Sequence, residues 1–592
     1  MSLAATIPNN SVHDMVTFDL VVGGKVLDTG YQVISISVKK EVNRIPTATI
    51  VLRDGEAAER EFAVSNSDHF VPGKEIEVKI GRDRDNTTVF AGIVVKHMIR
   101  IRESGEGELI VECKDKCVRM SVGRHNRYFE DSKDSEVIED LIGGYAGLRK
   151  DVEPTTLKHA ELVQHHCTDW DFMVSRAEVN GRLVIVDDGK VQVKKPDTSA
   201  EPALSVAYGT TLLEFEAVMD ARTQWRSVEA KAWDYSNQDM FERSSDSAPV
   251  REPGNLSGSD LAKTINLEKF ELRHSGQMAE AELQEWTDAA MLKSRLAKIC
   301  GRAKFFGFAG IKPGQLIELQ GVGDRFNGKA FVSAVRHDVG NGAWDTHVQV
   351  GLPPRWFHRS PEILDAPAAG LLPAVHGLQI GKVVQLQGDP NGEHRILVRL
   401  PIINNAARGT WARVASLDAG EKRGAFFRPE IDDEVVVGFL NSDPCDSVVL
   451  GMLHSSAKPA PITAQDVNHE KGFQTRSKMR VHFNDDTKTI TIDTPAGNKI
   501  VLDEASTSIT VKDQNDNKVV MAPAGIAVES PKDITIKAGG KIDIKATTDL
   551  IMSAAKIAQT AQGSMEVKGA TSNFEASGIT KVKGSIVKIN TE

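Results

Sequence analysis

The sequence lacks the features that would place it in a membrane or send it through the general export route. No run of 18 apolar residues occurs, and residues 1–8 have no charged segment followed by an apolar one. A membrane-spanning helix needs about 20 mostly apolar residues, and a signal peptide needs both of those segments. We therefore expect a protein made in the cytoplasm without a signal peptide, which leaves the cell only inside some carrier.

Cysteine is scarce, and no strongly basic segment occurs. The five cysteines are scattered, and Cys113 and Cys117 have the wrong spacing for a zinc knuckle, with no second pair to complete it. We expect reduced, mostly buried thiols and neither a metal nor another cofactor. The net charge of −10 argues against nucleic acid as a partner.

The segment from about Thr475 onwards is poor in aromatic residues, with two Phe and no Trp or Tyr. It carries instead apolar pairs that flank one residue, and four successive pairs each begin eight residues after the last. The two members of a pair leave the same face of a strand. The side chains predicted to form this core are Ile526, Val528, Ile534, Ile536, Ile542, Ile544, Leu550, Met552, Met565 and Val567.

An eight-residue unit allows a strand of only about five residues and a sharp corner. Two inward side chains per strand cannot enclose a core, so stacked units must share one. With so few aromatic residues to fill a wide solenoid, the pattern favours a narrow prism in which three copies wrap together. An ordinary antiparallel meander remains the alternative.

The rest of the chain is mainly β. Short strands with turn signals between them indicate small antiparallel barrels. Helices are expected after Ser135, which is placed to act as an N-cap, over about 169–179, and around 279–299. The predicted domains are a first β-barrel (1–125), a helical insertion (126–182), a second β-barrel with a helix (183–360), a Pro-rich linker (361–375), a five-stranded Greek-key barrel of the OB type (376–456), a connector (457–474) and the trimeric β-helix needle (475–592).

Several sequence motifs in these predicted domains resemble those of the contractile-tail spike and hub family. The OB-like region carries Arg395-Ile-Leu-Val-Arg-Leu-Pro, Trp411-Ala-Arg-Val and Phe427-Arg-Pro-Glu-Ile-Asp-Asp-Glu-Val-Val-Val-Gly-Phe. Upstream, Asp169-Trp-Asp-Phe and Arg176-Ala-Glu-Val-Asn-Gly-Arg are similar to the hub signature of the same proteins. The family includes type VI secretion spikes (valine–glycine repeat proteins), myophage hub and spike proteins, and spikes of extracellular contractile injection particles.

The resemblance implies a homotrimer whose two hub barrels per chain present a pseudo-sixfold ring to a hexameric tube protein. It also implies contact with baseplate wedge proteins and, transiently, with the target-cell membrane. The function expected is that of a structural spike, driven by sheath contraction, in an extracellular phage-tail-like particle. The alternatives are a type VI secretion spike, a myophage hub and spike protein or, less favoured, a spike that cleaves peptidoglycan.

Candidate catalytic and metal sites are weak. His159, His165, His166 and Cys167 cluster with two aspartates, but adjacent histidines diverge on a helix or strand, so packing roles are favoured over a metal. Asp485-Asp486 indicates a turn, because carboxylates that act across a sugar are spaced well apart. The roughly twenty residues between barrel and needle cannot hold a glycosidase domain. We expect no enzyme.

The end of the needle is apolar around Ile586, Val587 and Ile589. Three short chains that end together would leave a triangular face of unpaired strand edges, which favours docking by another protein. Relatives of this family carry a conical tip protein of the proline–alanine–alanine–arginine repeat type. We expect such a tip protein to dock on these three residues by strand addition.

Overall fold

The computed structural model describes residues 5–6, 15–28, 30–103, 107–360, 363, 365–406 and 408–589. The chain is mainly β and divides into two compact units, Met1–Gly451 and Met452–Glu592. Pro361, part of the predicted linker, lies outside the described residues. None of the described helices is both long and apolar enough to cross a bilayer.

The first module is built from alternating sequences that bury one side of each strand, as Val33–Glu41 and Thr47–Arg53 do. Its core is aliphatic, with Phe70 and Phe90 fully buried among the strands. Its strands are β1 (Ala5–Thr6), β2 (Val16–Val22), β3 (Lys25–Val26), β4 (Val33–Glu41), β5 (Thr47–Arg53), β6 (Glu75–Arg82), β7 (Asp85–Ile101) and β8 (Gly107–Lys114).

A helical insertion follows, and its two helices pack on strands β12 and β13 in one core with Trp170 and Met173. Helix α2 begins after Thr168, whose side chain accepts a hydrogen bond from the backbone N–H of Asp171. The elements are β9 (His125–Lys133), α1 (Asp134–Gly143), β10 (Arg149–Val152), β11 (Lys158–Cys167), α2 (Asp169–Val179), β12 (Leu183–Asp187) and β13 (Lys190–Lys194).

The second module returns to the pattern of the first, with α4 lying against the small sheet of β16, β17 and β18. Its elements are β14 (Leu204–Ala207), β15 (Leu212–Met219), β16 (Val228–Asp234), β17 (Asp239–Ser245), α3 (Gly258–Ile265), β18 (Phe270–His274), α4 (Glu280–Leu296), β19 (Ile299–Phe306), β20 (Leu316–Gln320), β21 (Gly328–Gly340) and β22 (Ala343–Val350).

The two modules share one sheet. Strand β21 of the second module pairs antiparallel with β4 of the first, which gives the order β15-β19-β22-β21-β4-β5-β8-β7. One face of these eight strands buries aliphatic side chains, and the other carries polar and charged residues such as Arg336 and Asp338. We call this array the eight-stranded sheet.

The OB-like region is a closed five-stranded barrel, in the order β23-β24-β25-β29-β28, as the sequence predicted. Gly381 lies where the barrel strands approach closely, and an added Cβ there would meet Val398 Cγ1 at 2.5 Å and Val437 Cγ2 at 2.9 Å. The strands are β23 (Gln379–Gln385), β24 (Ile396–Arg399), β25 (Thr410–Val414), β26 (Ala419–Gly420), β27 (Arg423–Gly424), β28 (Glu434–Phe439) and β29 (Ser447–Met452).

The second unit begins as an antiparallel meander of seven strands of five residues each. Up to Glu529 the chain therefore adopts the alternative that the sequence left open. The strands are β30 (Glu470–Gln474), β31 (Arg480–Asn484), β32 (Thr489–Asp493), β33 (Lys499–Asp503), β34 (Ser508–Lys512), β35 (Lys518–Ala522) and β36 (Gly525–Glu529).

Candidate partner-binding surfaces

The meander has one apolar face. Its strand register places the second and fourth residue of each strand in two columns, and nearly every member of both columns is apolar. We call this surface the needle apolar face. Its members are Phe473, Val481, Phe483, Ile490, Ile492, Ile500, Leu502, Ile509, Val511, Val519, Met521, Ile526 and Val528.

This apolar face is not covered within the chain. Ile500 is 38% exposed and Leu502 is 40% exposed, although both belong to a strand that is paired on both sides. Core residues of a finished sheet are ordinarily covered by a second layer. A contiguous apolar surface of this length on a single chain is typical of an interaction site.

The opposite face of the meander is polar. Cross-strand ion pairs lie along its edge, between Arg480 and Asp493 at 2.7 Å and between Lys518 and Glu529 at 2.9 Å. Along its centre runs a column that, apart from His482, consists of small or β-branched residues and includes Thr491 and Thr510. The sheet is therefore amphipathic, with its ion pairs facing solvent and its aliphatic side chains facing away from them.

A repeat of 19 residues, which the sequence analysis missed, organises the meander. Strands β31, β33 and β35 begin at Arg480, Lys499 and Lys518, each 19 residues after the last. The turns follow the same spacing, because Gly497 and Asp516 both adopt positive φ angles, of 98° and 66°. Two strands of five residues with two turns make up each repeat.

The predicted core residues fall into two structural settings. Ile526 and Val528 lie on β36 and point to the needle apolar face, opposite Met521 and Val519. The other eight lie in residues 530–589, where the described chain forms no strand of its own. All eight are largely exposed, from 49% for Ile542 to 72% for Ile536.

The predicted tip-docking residues lie at the end of the described chain. Ile586, Val587 and Ile589 are 77%, 50% and 82% exposed. Residues 590–592, which follow them, lie outside the described residues.

The histidine and aspartate cluster near residue 165 is separated in space. His159 is buried and lies 2.9 Å from Asp134, whereas His165 and His166 are exposed. In the part of the chain that the structure describes, no group of three or more His, Cys, Asp or Glu side chains is arranged to hold a metal ion. Packing is the role that the geometry gives to His159.

Asp134 is the centre of a buried polar network between α1, α2 and β11. Arg176 Nε donates to its Oδ1 at 2.6 Å, and Asn180 Nδ2 donates to its Oδ2 at 2.9 Å. Burial alone would raise the pKa of the Asp134 carboxyl, but hydrogen bonds from His159 and Arg176 hold it well below its usual range. The network stabilises the packing of the insertion.

Asp169 forms a second buried network. It accepts hydrogen bonds from Tyr145 at 2.8 Å, Gln164 at 2.8 Å and Arg127 at 3.2 Å. Its partners are donors rather than metal ligands, and they join α2 to β9 and β11. The hub-like signature is thus a set of packing residues.

All five cysteines are free thiols. Only Cys113 and Cys117 are buried, so the expectation of mostly buried thiols is wrong: Cys167 and Cys300 are half-buried, and Cys445 is exposed. Burial raises the pKa of Cys113 to about 12, with Glu112 adding to the effect. This thiol is therefore poorly reactive at neutral pH.

Two family models match the chain. One, described as the Alg8 N-terminal domain, matches residues 12–341, and the other, described as the Type VI secretion system/phage-baseplate injector OB domain, matches residues 379–454. The second match covers the closed five-stranded barrel. The resemblance to contractile-tail spike proteins is confirmed.

Curated relatives share shorter segments. The Type VI secretion system spike protein VgrG3 of Vibrio cholerae is 28% identical over 120 residues, which is 19% of this chain and 12% of that protein. The Actin cross-linking toxin VgrG1 of another Vibrio cholerae strain is 28% identical over 159 residues, 26% of this chain and 14% of that protein. The matched segments thus span about an eighth of these relatives' length.

Among solved structures, a tail protein from Neisseria meningitidis aligns over 58% of this chain and 98% of its own, with 13% identity and a TM-score of 0.43. The first family model alone covers more than half of the chain. The chain therefore belongs to the Alg8 N-terminal domain family, and it carries an OB domain of the type VI secretion system/phage-baseplate injector kind.

Proposed function

We propose that this protein is the homotrimeric central spike of a contractile injection machine. Its N-terminal modules join the inner tube, and its C-terminal needle is driven through the target-cell membrane by sheath contraction. The observation that carries this proposal is the needle apolar face, which the single chain leaves uncovered along all seven strands of the meander.

Burial of that face favours association. Fully burying one large apolar side chain contributes about 1.5–3 kcal/mol, and a partly exposed one contributes in proportion to its exposed fraction. Thirteen apolar side chains share the face in each chain. The total exceeds the entropic cost of bringing a few chains together, which is about 4–15 kcal/mol for each association. Association is therefore the expected state of the needle.

Three copies can cover the apolar face and also supply strand partners to the rest of the needle, which two copies cannot. Two meanders stacked face to face would cover the apolar surface but would leave residues 530–589 without strand partners. A three-sided prism lets the short octad segments of each chain pair with those of its neighbours, so that their backbone groups are satisfied. It also brings the exposed Ile536 and Ile544 of the three chains onto one axis.

Sedimentation equilibrium of the full-length chain tests the stoichiometry. We expect a mass of three chains that does not change on dilution into the nanomolar range. A monomer or a dimer under the same conditions would contradict the trimeric needle.

The partners proposed at the two ends are the hexameric tube protein and a small tip protein. The two N-terminal modules of each chain give six modules in a trimer, which suits a hexameric partner, and baseplate wedge proteins would surround this ring. The tip protein would cover the exposed Ile586, Val587 and Ile589 by pairing with their strand edges.

Pull-down of each partner with the full-length trimer, and with a variant that lacks residues 584–592, distinguishes binding of the tip protein from binding of the tube protein. We expect the truncated trimer to lose the tip protein and to keep the tube protein. If the truncated trimer holds the tip protein as tightly as the full chain does, the docking face lies elsewhere.

We place the spike in an extracellular phage-tail-like particle, with a type VI secretion machine as the second candidate. The second candidate is favoured by the similarity to a type VI secretion system spike protein of Vibrio cholerae, and the OB domain matches a family found in type VI secretion systems and phage baseplates. Electron microscopy and mass spectrometry of particles from cell-free culture fluid distinguish them. Sheathed particles that contain this chain support the first, and a spike retained with a membrane complex supports the second.

The proposed role is mechanical. A peptidoglycan zymogram with purified trimer tests this part, and a cleared band at the mass of the full-length chain would instead favour an enzymatic spike.

A further inference from the structure

We infer that the side chains of Asn43 and Lys293 become joined by an isopeptide bond after folding, in a reaction that the Glu178 carboxylate catalyses. The three side chains form a buried cluster that the proposed function does not use. They lie in one chain and in one compact unit, so the inference is independent of the trimeric needle.

The cluster lies where the two modules and the helical insertion meet. Asn43 is in the turn between β4 and β5 of the first module, Glu178 is on α2 of the insertion, and Lys293 is on α4 of the second module. The exposed fractions of these three residues are 7%, 5% and 7%. Charged and amide side chains are rarely buried to this degree unless they have specific partners.

A single carboxylate oxygen holds both reacting groups. Lys293 Nζ donates to Glu178 Oε1 at 2.8 Å, and Asn43 Nδ2 donates to the same oxygen at 3.2 Å. The amine and the carboxamide are therefore neighbours across one oxygen atom. The other carboxylate oxygen, Oε2, accepts a hydrogen bond from the Phe357 backbone N–H at 2.7 Å, which restrains the orientation of the carboxylate.

The Asn43 amide is held as an electrophile. Its Oδ1 accepts a hydrogen bond from the Val184 backbone N–H at 2.8 Å, and the Asn43 backbone N–H donates to the Val184 carbonyl at 2.7 Å. A backbone N–H aimed at a carbonyl oxygen stabilises the negative charge that develops there when a nucleophile adds to the carbon. The hydrogen bonds of Oδ1 and Nδ2 also assign the orientation of the amide.

Apolar side chains surround the cluster. Val42 and Leu292, the sequence neighbours of the amide and of the amine, belong to one buried group with Leu183. The Lys293 ammonium lies 5.1 Å from the centre of the Trp356 ring. An ion pair in such surroundings has lost its hydration, and transfer of a proton from the amine to the carboxylate removes both charges at once.

The reaction exchanges one amide for another. Lys293 gives a proton to Glu178, and the lone pair of the resulting amine forms a bond to Asn43 Cγ while the carbonyl electron pair moves to Oδ1. Glu178 then passes its proton to Nδ2 and takes one from the attacking nitrogen. The Cγ–Nδ2 bond breaks, and the ammonia that leaves takes up the proton from Glu178, so the carboxylate is restored. The reaction consumes no oxidant, metal or co-substrate.

A second buried site in this chain has the carboxylate and the amide but lacks the amine. Asn180 Nδ2 donates to Asp134 at 2.9 Å, but the cation beside that carboxylate is Arg176. A guanidinium stays protonated in proteins, so it has no lone pair with which to attack an amide. The cluster at Glu178 combines the amine, the amide and the proton carrier that the reaction needs.

The bond would fasten the first module to the second covalently. It would connect the β4–β5 turn to α4, in addition to the pairing of β4 with β21. A cross-link between residues far apart in the sequence restricts the unfolded chain and thereby stabilises the folded one. The two modules could then not separate unless this bond were broken.

Mass spectrometry of the full-length chain, denatured after purification, tests the bond directly. We expect an intact mass about 17 Da below the mass calculated from the sequence, because one ammonia is lost. After trypsin digestion we expect a branched peptide in which residues 41–44 are joined to residues 274–295 through Asn43 and Lys293. Residue 293 stays inside this peptide, because trypsin does not cleave after a lysine whose amine is acylated.

Variants of the full-length chain test the role of each group. Glu178→Gln should keep the full mass because the proton carrier is lost, and Lys293→Met should keep it because the nucleophile is lost. Glu252→Gln is the matched control, since Glu252 lies 2.9 Å from the buried Lys298, whose other hydrogen-bond partners are backbone carbonyls. This control should still lose ammonia and give the branched peptide. Circular dichroism checks that every variant is folded.

An unchanged mass of the wild-type chain overturns the inference, whatever the variants show. A loss of about 17 Da without the branched peptide also overturns it, because cyclisation of an asparagine to a succinimide releases ammonia as well. A branched peptide that persists in Glu178→Gln overturns the catalytic role of Glu178. The oligomeric state does not enter these measurements, so failure of this inference is distinguishable from failure of the trimeric needle.

Discussion

Replacement of Ile500 by aspartate should dissociate the trimer. Ile500 lies on the needle apolar face between Ile492 and Val511, on a strand paired on both sides. In the single chain 38% of its surface is exposed, so completion of its burial contributes about 1 kcal/mol per chain on the scale of 1.5–3 kcal/mol for a whole side chain. Three chains therefore lose about 3 kcal/mol from the missing contact alone.

The introduced charge adds a larger cost. Burial of a carboxylate without a partner costs several kcal/mol, and three carboxylates on one axis also repel one another. Together these terms are on the order of 10 kcal/mol per trimer, enough to dissociate it at micromolar concentration. Such carboxyls would have a raised pKa, so acidification should partly restore the trimer by protonating them.

Sedimentation equilibrium across pH 4–8 measures this effect. Val501→Asp is the matched control, because Val501 is the next residue of the same strand and points to the polar face opposite Thr491 and Thr510. We expect the control to remain trimeric. If Ile500→Asp remains trimeric, or if both variants dissociate equally, the needle apolar face does not hold the copies together.

Three further predictions concern folding stability. Gly381→Ala should destabilise the OB barrel by about 1–3 kcal/mol through overpacking against Val398 and Val437, whereas Gly451→Ala, with open space at its Cβ, should change its urea midpoint little. Asp134→Asn should cost about 3 kcal/mol, because it removes the buried carboxylate that Arg176 contacts at 2.6 Å and leaves Glu282 as the remaining carboxylate partner of Arg176. The pKa of Asp134 is lowered on folding, so its contribution to stability is present above about pH 4 and is lost below it, and the thermal midpoint of the variant should fall less steeply in acid. Burial lowers the pKa of His337 to about 3, with Lys40 adding to the effect, so below about pH 6.5 the unfolded chain binds more protons than the folded chain. The folding stability should therefore decline from pH 6.5 towards pH 3, and this decline should be shallower in His337→Gln.

The sequence predicts the bounds of a helix correctly where its capping residues and its apolar periodicity agree. Helix α2 begins and ends where the sequence predicted, because Thr168 caps it and Asn180 follows its last turn. Ser135 was wrongly expected to cap α1. The helix begins at Asp134, two residues earlier than a cap at Ser135 would allow. The Ser135 backbone N–H donates to Thr155 Oγ1 at 3.1 Å, a tertiary contact that no local pattern reveals.

Helix α3 was missed although its signal was present. Ser257 and Asp260 form a capping box, in which each side chain bonds the other residue's backbone N–H. The surrounding polar stretch masked this short helix, because it offers little apolar periodicity to detect.

The needle shows how a fixed period misleads. The sequence contains the apolar pairs of the meander, such as Ile490/Ile492 and Ile509/Val511, in the same form as the predicted octads. Their spacing alternates between nine and ten residues, because the two turns of each 19-residue repeat differ in length. A search for one constant interval finds the octads and passes over the earlier strands.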